Sequence, residues 1–191
     1  MSFFDTAYEG SPPWDIGRPQ PAVVELAEAG EIVGSVLDVG CGTGEHALYL
    51  AECGHDVLGI DTAPRAVEIA EAKARDRGIA ARFQVWDALR VHELGRTFES
   101  AIDIGLFHTL ADDERPAHAR SLHDVLAPGG RAFLLCWSER NPWGFGPRHV
   151  TQMELLGTFE DGWEVRIEES RFETKLEGVE VHAWLARLTR R

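Results

Sequence analysis

The sequence predicts an α/β fold, a doubly wound and mostly parallel sheet with helices on both faces. Three observations carry that expectation. Short apolar runs bounded by turn residues alternate five times with amphipathic stretches, the order of successive βαβ units. Two segments near the end, 163–169 and 181–188, alternate apolar and polar residues like an antiparallel hairpin. They bring the count to seven strands, with one reversed near the C-terminus. The third observation is size: 191 residues, 44% of them hydrophobic, match one domain, 1–191, with a core of ordinary extent.

Residues 1–20 carry Pro12, Pro13, Gly17 and Pro19 and read as an ordered arm rather than a helix. A helix follows over 21–29 and stops at Gly30. Residues 35–39 form a short apolar run, the first buried strand. Residues 45–53 turn Ala47, Leu48, Leu50 and Ala51 inward as a helix that stops at Gly54. The second strand covers 57–60 and ends on Asp61. Thr62 is placed to cap the next helix and Pro64 fits its first turn; that helix runs to 77 and stops at Gly78. A third strand at 82–86 places Phe83 and Val85 on one face. Strand four is expected over 101–107, a helix over 113–126, and strand five over 132–137 after the Pro128-Gly129-Gly130 turn. Thr151 and Glu154 have the spacing of a capping box, opening a helix to 159. No repeat, low-complexity tract or linker interrupts this order.

Composition removes several function classes. The balance of 19 Lys+Arg against 32 Asp+Glu gives a net charge of -13. Binding to nucleic acid or an anionic membrane needs a basic footprint, so both are disfavoured. Cys41, Cys53 and Cys136 are odd in number and lack zinc spacing, so neither a disulfide framework nor a structural metal is expected. Residues 1–20 show no basic and apolar leader, which predicts no signal peptide, no membrane span and a cytoplasmic chain.

Doubly wound sheets bind ligands beyond the carboxyl ends of their strands. The loop after strand one, Val39-Gly40-Cys41-Gly42-Thr43-Gly44-Glu45-His46, puts three glycines on alternate positions before a helix. Such a loop lets a ligand lie against main-chain amides. It departs from the dinucleotide fingerprint, because Glu45 stands in the last glycine's place and would oppose a pyrophosphate. With Asp38 it edges the site with acid, which suits a cationic ligand such as S-adenosylmethionine, with its sulfonium and ammonium groups. Asp61, at the tip of strand two, can accept both hydroxyls of a ribose.

The run Asp38-Val39-Gly40-Cys41-Gly42-Thr43-Gly44 resembles the first motif of the class I S-adenosylmethionine-dependent methyltransferases, and the similarity extends over about 35–137. The resemblance implies a Rossmann-like seven-stranded sheet, S-adenosylmethionine as cofactor, S-adenosylhomocysteine as product and no metal. It implies cofactor contacts at Asp38, Gly40, Cys41, Gly42, Gly44, Asp61 and Thr62. Asp87 would meet the adenine amino group and the Ala88 amide a ring nitrogen, with Phe107 near the reacting sulfonium. The arm at 11–21 resembles that of the thiol, halide and thiopurine methyltransferases and of bacterial enzymes acting on small phenols or quinones. By that resemblance residues 1–30 cover the cofactor, Trp14 lying over its methionine end and Arg18 pairing with its carboxylate. The Asn-Pro-Pro-Tyr pattern of nucleic-acid and translation-factor methyltransferases is absent.

His108 follows strand four, and a side chain that titrates near neutrality is a candidate base there. Transfer to sulfur or a phenolate needs alignment alone. Asp112 and Asp113 read as caps of the following helix rather than metal ligands. Trp137, Trp143, Phe145 and His149 after strand five are candidates for an apolar pocket holding a flat acceptor. The expected activity is methyl transfer to a small thiol, halide, phenol or quinol by in-line displacement, in a monomer or homodimer. An NAD-dependent oxidoreductase and a non-catalytic S-adenosylmethionine-binding module are the alternatives.

Overall fold

Val36, Leu37, Asp38 and Val39 are all buried in β1 (Ser35–Val39), so this strand is covered on both faces. The computed structural model describes residues 3–144 and 146–191. In it β1 pairs in parallel with β2 (Asp56–Asp61) on one side and β4 (Phe98–Ile104) on the other. With β3 (Arg82–Val85), β5 (Leu126–Trp137), β6 (Trp163–Phe172) and β7 (Val181–Arg190), the sheet order is β3-β2-β1-β4-β5-β7-β6. β7 runs antiparallel to both β5 and β6 and is the reversed strand. Val85 lies exposed at the tip of the edge strand β3.

Alternate side chains leave a strand on opposite faces. Leu37 and Val39 therefore join one core with Leu122 of α5 (Glu114–Val125) and Leu155 of α6 (Gln152–Thr158). Val36 joins the other core with Val23 and Leu26 of α2 (Pro21–Glu28) and Leu50 of α3 (Glu45–Glu52). α4 (Pro64–Arg77) ends at Gly78 in the left-handed conformation, φ 67°. The Thr151–Glu154 capping box is formed.

Five local expectations are corrected. The arm is not free of helix: α1 (Phe3–Ala7) precedes the proline-rich turn and packs on α4, where Tyr8 meets Ala63 and Ala66. Thr62 does not cap α4: the helix starts one residue later, with Ala63 at the N-cap and no side chain capping it, while Asp61 Oδ1 accepts the Ala63 amide at 2.9 Å. Asp113 makes no side-chain cap on α5 and Asp112 pairs with Arg148; Glu154 also holds that arginine. β5 begins at Leu126, directly after α5: Phe98 pairs with Leu126 and Ser100 with Arg131, so residues 127–130 bulge out within the strand. β4 correspondingly starts at Phe98 and stops at Ile104, since Asp103 Oδ1 accepts the Leu106 and Phe107 amides and turns the chain there. Among the described residues no helix is long and apolar enough to cross a membrane.

Candidate active site

The loop from β1 to α3 folds back on β2. The amides of Gly40 and Cys41 both donate to the Ile60 carbonyl, at 2.8 and 2.9 Å. Gly42 and Gly44 adopt φ of 52° and 86°, a region that side chains disfavour. Space is equally strict. A Cβ on Gly42 would lie 2.7 Å from the Tyr8 hydroxyl, and one on Gly44 would lie 2.8 Å from Ala70 Cβ. Gly42 donates its amide to Asp61 Oδ2 at 2.9 Å, so loop and carboxylate are one unit.

A cavity of roughly 450 Å³ opens past the carboxyl ends of β1, β2, β4 and β5. That lies within the range of about 300–1,000 Å³ for small-molecule sites. Gly40, Cys41, Gly42 and Gly44 form one wall, continued by Asp61, Thr62 and Ala88. Trp14 and Arg18 of the arm form the roof, and His108 and Trp137 stand at the other end. These eleven expected residues are brought together, and the glycine wall is a cradle that a Cβ would fill.

The remaining expected residues that the structure describes lie elsewhere. Asp38 is buried behind the loop and off the cavity wall. Burial, with Asp61 and Asp103 nearby, pushes its carboxyl up to about 8, so it is protonated at neutral pH. Asp87 is exposed and accepts the Leu89 amide at 2.9 Å, capping a short 3-10 helix from Ala88 to Leu94. Phe107 faces the core because Leu106 and His108 take the cavity side of the same turn; its ring packs on Phe159 at 5.8 Å. Trp143 is fully exposed, 100%, and leaves the pocket altogether. His149 stands off the wall, stacked on Trp137 at 6.2 Å. Phe145 lies outside the described residues. Arg18 reaches the roof but is already paired with Glu173 at 2.5 Å.

Glu45 is also corrected. It does not edge the site with negative charge, because Arg77 binds both of its oxygens at 2.9 Å and Lys73 lies at 2.8 Å. These cations hold its carboxyl below the usual range against the opposing pull of burial. Asp61 and Asp15 line the cavity beside this paired Glu45. Thr43 donates to Asp15 at 3.0 Å.

Several wall residues had no warning in the motif spacing. Tyr8 lies over Gly42 and accepts the Trp14 indole N–H at 3.1 Å. Burial first, then Asp61, pushes its hydroxyl well above the ordinary range. Trp86, beside Asp87, lines the cavity where Asp87 does not. His46 also lines the wall; burial lowers its pKa to about 4, and its Nε2 has no partner among the described residues. Phe172 closes the far end from β6. Gln20 bonds both backbone groups of Glu173 at 2.8 Å, holding the arm to the end of β6. Behind the wall, His118 Nε2 faces Asp103 Oδ2 at 2.8 Å with both groups buried.

A parallel sheet, a glycine cradle joined to a carboxylate at the next strand tip, and a cavity across both define an α/β enzyme that binds a nucleoside cofactor. Residues 36–130 match the family described as Methyltransferase domain. The 2-heptyl-1-hydroxyquinolin-4(1H)-one methyltransferase of Mycobacteroides abscessus is 35% identical over 176 residues, covering 86% of this chain and 78% of that protein. Thiocyanate methyltransferase 1 of Brassica oleracea is 29% identical, covering 80% and 67% respectively. A structure solved in work on conversion of a disulfide bond into a thioacetal group during echinomycin biosynthesis superposes with a TM-score of 0.89 and 38% identity, over 98% of this chain and 90% of that one. The chain belongs to the S-adenosylmethionine-dependent methyltransferases of small molecules. That membership sets aside the NAD-dependent oxidoreductase.

Proposed function

We propose that the cavity holds S-adenosylmethionine along the glycine wall and a small aromatic or thiol acceptor at the end formed by His108, Trp137 and Phe172. The carrying observation is the cavity's two unlike ends, one built of main-chain amides and carboxylate, the other of rings. Asp61 sits at the cavity wall at the tip of β2, with the Gly42 amide on one oxygen and the Ala63 amide on the other fixing the plane of its carboxylate. That supports a ribose diol there. Trp86 offers a flat face and Ala88 an amide for the base, with Asp87 at the rim. The cradle residues fit a cofactor that must approach backbone closely. Trp14 covers the methionine end, and Arg18 closes the roof through Glu173.

When bound, S-adenosylmethionine supplies a methyl carbon on a sulfonium for in-line displacement. The chain's own contribution is to exclude water and align the acceptor, which is worth several orders of magnitude when reacting atoms are held near contact. The rings of Trp137 and Phe172 lie 6.5 Å apart and favour a flat, apolar acceptor. A relative named for a hydroxyquinolone supports a flat acceptor, and one named for thiocyanate supports a sulfur nucleophile. The net charge of -13 supports an acceptor other than a polyanion.

Calorimetry with S-adenosylhomocysteine, followed by transfer of radiolabelled methyl to 2-heptyl-1-hydroxyquinolin-4(1H)-one and to simple aryl thiols, tests the proposal. Binding and methylation of at least one acceptor are expected. Absence of any heat with S-adenosylhomocysteine ends it.

A further inference from the structure

His108 stands at the acceptor end of the cavity, yet its surroundings are wrong for a proton acceptor. The main-chain N–H of Trp137 donates to Nδ1 at 3.2 Å. A ring nitrogen that accepts a hydrogen bond carries the lone pair, so the proton of the neutral ring rests on Nε2. Among the described residues no group bonds Nε2, and the ring lines the cavity. His108 therefore offers an N–H, while its lone pair is occupied by the backbone.

A histidine base also needs help for its charged form, normally a carboxylate on the other nitrogen. The carboxylate that acts on His108 is Asp103, from β4, and its bonds go elsewhere. Oδ1 accepts the Leu106 and Phe107 amides at 3.0 and 3.1 Å, and Oδ2 faces His118 at 2.8 Å. From α5 Arg115, and from the loop after β5 His149, oppose a second proton. The other walls are the rings of Trp137 and Phe172, at 6.3 and 6.0 Å, which solvate no cation by hydrogen bonding. Burial, the largest influence, lowers the ring's pKa to about 4.

We infer that the acceptor is taken as its conjugate base, an ionised thiol, phenol or N-hydroxy group, and that His108 holds this anion by donating from Nε2 instead of removing its proton. The inference rests on the methyl-transfer reading above. The acceptor's proton leaves to solvent before binding. A lone pair on its sulfur or oxygen forms the bond to the methyl carbon as the carbon–sulfonium bond breaks and that electron pair returns to sulfur. Anionic and sulfonium charges vanish together, leaving the methylated acceptor and a neutral thioether, with no proton for the chain to take up. Acidic acceptors are selected, and aliphatic alcohols, which need a base, are refused.

A series of thiols with acidities on both sides of neutrality, para-substituted thiophenols below it and benzyl and alkyl thiols above it, tests this in the full chain. The acid limb of kcat/KM against pH should move with each thiol's own pKa. A limb that stays near neutrality across the series, or turnover of aliphatic alcohols in place of the thiophenols, overturns it. A second readout needs no turnover: calorimetric affinity of 4-nitrothiophenol for the chain saturated with S-adenosylhomocysteine should rise with pH through the thiol's pKa, and a flat affinity overturns the inference. His108→Gln, which keeps an N–H donor, should exceed His108→Phe in kcat/KM by about tenfold, and equal rates would remove the donor role. Binding of S-adenosylhomocysteine with an acceptor-independent acid limb refutes this inference alone, whereas no binding of S-adenosylhomocysteine refutes the proposed function beneath it.

Discussion

The two ends of the cavity are assembled over very different chain distances. At the cofactor end Gly42 reaches Asp61, 19 residues away, and Asp61 reaches Ala63 within the same turn. At the acceptor end Gln20 clamps Glu173 across 153 residues and Lys175 donates to Ser11 across 164. The cofactor end is thus part of a local β1–α3–β2 unit whose geometry its own backbone dictates. The acceptor end exists only once the arm and the end of β6 have met. The difference teaches which part can vary: the β6–β7 connection can be rebuilt for a new acceptor without touching the cradle, whereas the arm meets the cradle through Tyr8 and Asp15.

The largest effect expected is at the local end. Asp61→Ala removes the partner of two amides and the proposed ribose contact. Affinity for S-adenosylhomocysteine should fall by about 2–3 kcal/mol, measured by calorimetry. Unchanged affinity would break the assignment of that end to the cofactor.

Gln20→Ala tests the long-range end. It leaves the Glu173 N–H and C=O unpaired, so urea unfolding should show a loss of about 1–3 kcal/mol. KM for the acceptor should rise more than the cofactor Kd. Equal changes in both would mean that the arm serves the two ends alike.

Acidity sharpens the contrast in a third way. Unfolded, Asp38 ionises near the usual carboxylate value; folded, it keeps its proton to about 8. Between those limits the folded chain binds more protons, so this residue's contribution to stability falls as pH rises through the window. His46 and His108 act at the acid side. Their folded pKa values of about 4 lie below the ordinary histidine value, so the stability they confer is lost as pH falls from about 6.5 through 4. Unfolding free energies measured across pH should show a decline between the usual carboxylate value and about 8 in the native chain and a shallower one in Asp38→Asn. Identical slopes would contradict a protonated Asp38.

The smallest effect belongs to Trp143→Ala. With its side chain fully exposed, stability should change by less than about 0.5 kcal/mol and acceptor KM by less than about twofold. A larger rise in KM would return this tryptophan to the acceptor site.

Legibility followed the same division. Gly40, Gly42, Gly44 and Asp61 could be read from spacing because only glycine fits the turn and only the residue ending the neighbouring strand reaches it. Phe107 and His108 are adjacent in sequence, and nothing in that order says which faces the core. Asp103 decides it, by turning the chain directly after β4. Trp143 had the right chemistry and the right loop, yet solvent took it, whereas Phe172 reached the cavity from a strand whose pattern is mostly polar.

The alternation of apolar runs, the glycine bend and the capping box were determined by the chain alone, because each depends on backbone sterics and contacts between near neighbours. The acidity of Asp38, the neutralisation of Glu45 and the donor state of His108 were decided only in three dimensions. Burial and ion pairing depend on which distant groups come to surround a side chain. Lys73 and Arg77 at Glu45, and the Trp137 amide at His108, arrive from separate elements.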